Sequence, residues 1–283
     1  MTIMRRTRVV ADRTALRRVR TEVAFDPTPT GTQVMTLAHL VARLAGGFLR
    51  PARRSDIART LRTDVPHDAL GSLAPLADLP GLPDAIARTL DLAWLAGFDL
   101  DAICTEEPDT ERWRELAALA KVVRSRLPHH TLAHPDLEAK ARAGLHHAAV
   151  TLGTVDLHRI PSIPPVYQPL LDELATIVPV RWERRPGADS WRPKHIQLHP
   201  TDRAARLADP TTASYGTPHH EIRAALQWAR ARLELGVAPG NLAIAAPDPS
   251  PYVAPLLALA RGSVLPIHVA GGRPLVRSAE GQF

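Results

Sequence analysis

Apolar side chains recur at helical spacing through much of the chain. Leu37, Leu40, Val41 and Leu44 fall at i, i+3, i+4 and i+7, which predicts an amphipathic helix over 35–49 that Gly46 and Gly47 loosen and Pro51 stops. Trp113, Leu116, Ala120 and Val123 repeat the pattern inside 111–126, and Pro128 breaks the chain after it. Asp84 is expected to cap a helix over 85–95, and the alanine-rich stretch 136–150 reads as a further helix. Residues 55–134 are thus expected to be mostly helical, joined by connectors such as Leu79-Pro80-Gly81-Leu82-Pro83. Residues 1–31 read as an arm holding one short helix near 14–23 and ending in the turn-rich run from Asp26 to Gly31.

Near residue 151 the period changes. Residues 151–157 are β-competent, 167–177 are helical, 178–183 alternate like a strand with Pro179 at its start, and 196–199 form a short strand. A polar loop then runs to Pro218. Ile222, Leu226, Ala229 and Leu233 share one face of a helix over 220–235, which Gly236 closes. A buried strand at 242–246, a helix at 252–261 and a strand at 265–270 complete the pattern. Helix and strand alternating at this spacing predict βαβ units and a parallel sheet, hence the α/β class. Such a sheet is buried on both faces. The sequence stops at Phe283, where the next covering helix would be needed, so this sheet is expected to be incomplete, with apolar side chains such as Leu265 and Ile267 partly exposed.

Charge alters the picture in one place. The net charge is +6, and residues 1–22 alone hold seven arginines against Asp12 and Glu22. The sequence thus predicts a basic arm on a nearly neutral body. The arm reads first as a surface segment or alternative start, and second as a DNA-binding element through Arg5, Arg6, Arg17 and Arg18. A second cluster, Arg181, Arg184, Arg185, Arg192 and Lys194, is interleaved with Trp182 and Trp191. Arginines with aromatics can hold a single strand by phosphate contact and stacking. A solvated connector with both tryptophans in the core is the preferred reading. One cysteine, Cys104, excludes a disulfide framework, and no apolar run approaches the length of a bilayer span. A cytoplasmic protein without membrane contact is expected.

Catalytic motifs are missing where they would be needed. A P-loop requires a Gly-Lys pair, and Lys121, Lys140 and Lys194 follow Ala120, Ala139 and Pro193. Asp136, Glu138 and Lys140 spell the letters of a PD-(D/E)xK nuclease. That chemistry draws its groups from two adjacent strands, whereas these three crowd the start of a helix, where Asp136 serves as a cap. Asp172 and Glu173 lie inside an amphipathic helix and read as solvated acids. The histidine pairs 129–130, 146–147 and 219–220, and His195 with His199, lack metal-ligand spacing. No catalytic residue, cofactor site or metal site is assigned.

Several segments resemble a known family. They are Glu221-Ile-Arg-Ala-Ala-Leu-Gln-Trp-Ala-Arg230, the run from Leu235 to Pro247, Leu265 to Leu275 and Glu280-Gly281-Gln282, preceded by 35–48, 79–83, 163–171 and 178–182. Their order and spacing resemble superfamily I helicases, specifically the AddB-like, PD-(D/E)xK-type helicase–nucleases of recombinational DNA repair. The resemblance spans about residues 34–283. Beside the basic arm at 1–33 read from the charge, it implies a degenerate and mostly helical helicase-like domain at 34–190, and at 191–283 the start of a second RecA-like domain, truncated. The family's nuclease domain and iron–sulfur cysteines lie beyond Phe283, and Ala246-Pro247-Asp248 stands where a phosphate-contacting arginine is usual. The resemblance therefore implies a non-catalytic, helicase-like portion of an AddB-type protein, in which scaffolding, single-stranded DNA contact and pairing with a motor helicase subunit are the roles; a truncated gene product is one expectation. The rivals are a stand-alone basic DNA-binding adaptor and a metal-dependent nuclease or hydrolase.

Overall fold

The computed structural model describes residues 5–25, 31–106, 111–184, 190–200, 213–246, 248, 250–262, 265 and 267–269. The chain divides into two units, residues 1–205 and 206–283. In the first, strand β1 (Arg5–Val10) leads directly into helix α1 (Arg13–Ala24), followed by β2 (Gly31–Thr36) and α2 (Leu37–Leu44). A helical insertion then departs at the two-residue strand β3 (Arg50–Pro51). It runs through α3 (Arg54–Thr63), a 3-10 region at His67–Leu76, α4 (Leu82–Leu95), α5 (Leu100–Glu106) and α6 (Glu111–Arg126). It returns at β4 (Thr131–Leu132), which pairs with β3 in parallel. The chain continues through α7 (His134–Ala143), α8 (Ala148–Thr151), β5 (Thr154–His158), α9 (Gln168–Ile177), β6 (Val180–Arg184) and β7 (Gln197–Pro200).

Five strands form one parallel sheet in the order β2-β1-β5-β6-β7. The protein is thus mixed α/β, as its patterning predicts. Side chains alternate across a strand, and that alternation sorts the core. Val9, Met35, Val155, Leu157, Val180 and Trp182 join one cluster with Leu40 and Val41 of α2, Leu137 of α7 and Leu170 and Leu174 of α9. Val10 and Val34 point the other way and pack on Leu16 and Val19 of α1. Each such side chain removed from water contributes about 1.5–3 kcal/mol. Trp182 is fully buried, and its indole N–H donates to the Ile160 carbonyl at 3.0 Å. The insertion has a core of its own, built on Ile57, Leu90, Trp94 and Val123.

The outcome differs from expectation in several places. Residues 5–10 are not part of an arm. They form β1, flanked on both sides by other strands, because Thr7, Val9 and Val10 are buried while Arg6 and Arg8 take the polar positions. The predicted helix over 35–49 is β2 followed by the shorter α2. The predicted helix over 136–150 breaks at Gly144, where a Cβ would lie 2.0 Å from the Leu44 carbonyl oxygen. Such a close backbone approach leaves room for glycine alone. The strand expected at 196–199, inside the second domain, is β7 (Gln197–Pro200) and pairs with β6 of the first unit.

The second unit contains α10 (Pro218–Glu234) and α11 (Ser250–Gly262), which pack together. Thr217 caps α10, and Gly236, at φ +83°, closes it with its N–H donating to the Leu233 carbonyl. Residues 242–246, expected as a buried strand, make no strand pairing and are largely exposed. Of 265–270, only 265 and 267–269 are described, and they carry no strand. The stretch 271–283 lies outside the described residues. Among the described residues no helix is long and apolar enough to cross a membrane.

Candidate nucleic-acid interface

Ligands of open parallel sheets bind outside the carboxyl ends of the strands. At the end of β1 the connection to α1 is Ala11-Asp12, the position a P-loop would take in a nucleotide-binding sheet. Asp12 is the N-cap, and its carboxylate accepts the Ala15 N–H at 2.8 Å. The N-terminus of α1 therefore presents its own fixed negative charge to an incoming phosphate.

A cleft of about 1180 Å³ opens beside β2 and the base of the insertion. Arg13 and Arg20 of α1, Arg43 of α2, Arg50 of β3, and Arg53 and Arg54 at the start of α3 line it, with Asp91 as the one carboxylate among its lining residues. His39 and His134 line it as well. The first turn of α2 also faces it, capped by Thr36, whose hydroxyl accepts the His39 N–H at 3.4 Å.

Three of these arginines are held in place by carboxylates or carbonyls. Arg50 forks onto Asp56 at 2.5 and 3.1 Å; Asp56 also receives Arg59 at 3.2 Å and the Arg53 backbone N–H at 3.1 Å. The Arg50 hydrogen bonds dominate, outweighing burial, and hold the Asp56 carboxyl down at about 2. Arg54 donates to Asp91 at 2.7 Å. Burial pushes the Asp91 carboxyl up, but hydrogen bonds from His134 and Arg54 outweigh it and the net shift is downward. Arg20 donates to the Val34 carbonyl at 3.2 Å.

Beneath Asp91 lies a buried relay. His134 Nε2 stands 3.3 Å from Asp91, and its Nδ1 is 2.5 Å from the Tyr167 hydroxyl. The imidazole thus bridges the Asp91 carboxylate and the Tyr167 hydroxyl, one ring nitrogen to each. Burial, reinforced by the Asp91 and Glu138 charges, pushes the Tyr167 hydroxyl far above its ordinary range. Tyr167 is almost fully buried and does not line the cleft, so this relay positions Asp91 rather than offering a nucleophile.

Arg13, Arg43 and Arg53 are exposed and, like Arg20, form no ion pair among the described residues. With no ion pair to match their charge among those residues, the arrangement suits a polyanion.

The arginines singled out from the sequence fall elsewhere. Arg5 donates to the Val150 carbonyl. Arg6 pairs with Asp156, and Arg181 is the register partner of Asp156 on β6, so these two share a polar sheet face with an acid between them. Arg17 is exposed on α1, and Arg18 pairs with Glu22 at 3.5 Å. Arg184 stacks 5.1 Å from the buried Trp182 ring and donates to the Trp191 carbonyl at 3.2 Å. The Trp182 and Trp191 rings lie 5.7 Å apart, with Trp191 packed against the main core. Arg192 donates to the Ser190 and Trp191 carbonyls, and Lys194 is exposed; Arg185 lies outside the described residues. Of these side chains, Arg184 and Arg192 meet at the Trp191 carbonyl, and Arg6 and Arg181 flank Asp156. Six arginines of the cleft were not selected as a site from sequence, although Arg50-Pro51-Ala52-Arg53-Arg54 was a visible cluster.

Asp136, Glu138 and Lys140 lie along α7. Asp136 is 3.8 Å from Arg124, and Glu138 pairs with Arg142 at 2.6 Å. Asp172 is not simply solvated: it accepts the Lys194 and His195 N–H groups at 2.9 and 3.0 Å and tethers the approach to β7. Among the described residues no group of three His, Cys, Asp or Glu side chains is placed to hold a metal ion. No protein-family model matches the chain, and no curated protein matches it either.

Proposed function

We propose that this chain is the non-catalytic, helicase-like portion of an AddB-type DNA-repair protein, acting in the cytoplasm, that contacts single-stranded DNA and pairs with a motor helicase subunit. The observation that supports the reading best is the cleft: six arginines face it, four without an ionic partner among the described residues, against one carboxylate already satisfied by Arg54 and His134. A nucleic-acid backbone is the ligand whose charge density matches that lining. The Asp12 carboxylate at the β1–α1 junction opposes a nucleotide phosphate at that helix end, which is in keeping with the non-catalytic reading.

The test is the salt dependence of binding to a thymidine oligonucleotide, read by fluorescence anisotropy. Each phosphate neutralised on a single strand contributes about 0.7 to the slope of log K against log salt. Arg13→Gln, Arg43→Gln and Arg53→Gln together should reduce that slope by about 2. An unchanged slope in the triple variant would remove the cleft from the interface.

A further inference from the structure

Two phenylalanines, each next in sequence to residues that line this cleft, stand almost wholly in solvent. Phe48 is 91% exposed and Phe25 is 83% exposed. Both adjoin residues that line the cleft: Gly47 and Leu49 flank Phe48, and Ala24 precedes Phe25. An isolated exposed apolar side chain needs no explanation. Two exposed phenylalanine rings, one at the C-cap of α1 and one in the bend that follows α2, each adjoining the lining of a basic cleft, form a pattern with a specific chemical counterpart.

The backbone holds Phe48 outward. Gly46 and Gly47 have φ of +106° and +85°, and the Gly47 N–H donates to the Ala42 carbonyl at 2.8 Å, closing α2 in a left-handed turn. A Cβ at either glycine would meet nothing within 4 Å, so the turn projects into open space. Phe25 is fixed more simply, its N–H donating to the Thr21 carbonyl as the last contact of α1. Neither ring is needed by a core: the three buried clusters contain neither residue.

We propose that Phe48 and Phe25 are base-stacking platforms that make the cleft selective for single-stranded over duplex DNA. This rests on the reading of the cleft as a nucleic-acid backbone site. Arg13, Arg43 and Arg53 would hold phosphates, which both forms of DNA present. Unpaired bases alone can leave the strand to lie on an aromatic face. Charge complementarity selects the occupant: an apolar protein segment would gain from the rings but would leave the arginines unpaired.

The experiment measures the full chain against a fluorescein-labelled thymidine 15-mer and a duplex of the same length. Phe48→Ala and Phe25→Ala should each weaken single-strand binding about tenfold, with duplex affinity and the salt slope unchanged. Phe48→Trp should keep the single-strand affinity, and 2-aminopurine placed in the oligonucleotide should lose its stacking-dependent quenching in the alanine variants. Because both rings are solvent-exposed, circular dichroism should show an unaltered fold. Equal loss for duplex and single strand, or no loss at all while the arginine variants weaken binding, would overturn the stacking proposal and leave the cleft reading intact. Failure of the arginine variants to alter the salt slope would overturn the cleft reading, and this proposal with it.

Discussion

Asp56 sits behind the cleft, with Arg50 forked onto it and Arg59 and the Arg53 N–H completing its shell. Its side chain is 10% exposed, so little water screens the contact. The shift of its carboxyl from 3.8 to about 2 means that the charged form is favoured in the folded state. Each unit is 1.36 kcal/mol, so Asp56 contributes about 2 kcal/mol to stability near pH 7. The sign follows from the direction. A depressed carboxylate stabilises above its unfolded value and loses that contribution as pH falls through the folded one, here between about 4 and 2. Asp56→Asn should therefore lower the stability of the first unit by about 2 kcal/mol at neutral pH, and the gap to wild type should shrink to about half near pH 3. Urea titrations followed by the near-ultraviolet signal of the buried Trp94 and Trp182 provide the measurement. A gap that is constant from pH 7 to pH 3 would show that the loss comes from shape or packing, and would refute the electrostatic account.

Three further outcomes are expected. Gly153 has φ +63° and a Cβ there would lie 1.9 Å from the Arg5 carbonyl oxygen of β1, so Gly153→Ala should destabilise the first unit by about 2–5 kcal/mol in chemical denaturation. Removing residues 1–22 deletes β1, which pairs with both β2 and β5, and should abolish the near-ultraviolet signal of the first unit; a truncated chain with a native spectrum would contradict the strand assignment. Asp136→Ala and Glu138→Ala should leave any magnesium-dependent DNA cleavage in a preparation unchanged, since each acid faces an arginine on or beside α7; loss of cleavage in both, with the fold intact, would restore them as catalytic candidates.

The helices were the most legible part of the sequence, because their apolar period survives translation into burial. Leu37, Leu40, Val41 and Leu44 are all buried on α2, and Ala120 and Val123 on α6. Gly236 marked the end of α10 because a left-handed residue was needed there. The strands β5, β6 and β7 appeared within three residues of their expected bounds. β1 was hidden by its arginines: a strand with one buried face needs only alternate apolar residues, and the charge count drew attention to the others. The error at 242–246 ran the other way, since an apolar run signals burial without saying by what. The cleft was illegible for a topological reason. Its arginines lie on α1, α2 and the base of the insertion, and only the pairing of β1 with β2 and β3 with β4 brings those segments to one place.

The clasp between β3 and β4 has a mechanical consequence. The insertion leaves and rejoins the sheet layer through two residue pairs, Arg50 with Thr131 and Pro51 with Leu132. Its two chain crossings therefore lie side by side, and the insertion is tied to the sheet layer a second time where Asp91 meets His134 and Arg124 approaches Asp136. Arg53, Arg54 and Asp91 belong to the insertion, while Arg13, Arg20 and Arg43 belong to the sheet layer. The cleft is thus lined from two separate cores, and a ligand that filled it would cross-link them: binding there would raise the stability of the insertion and the sheet layer together.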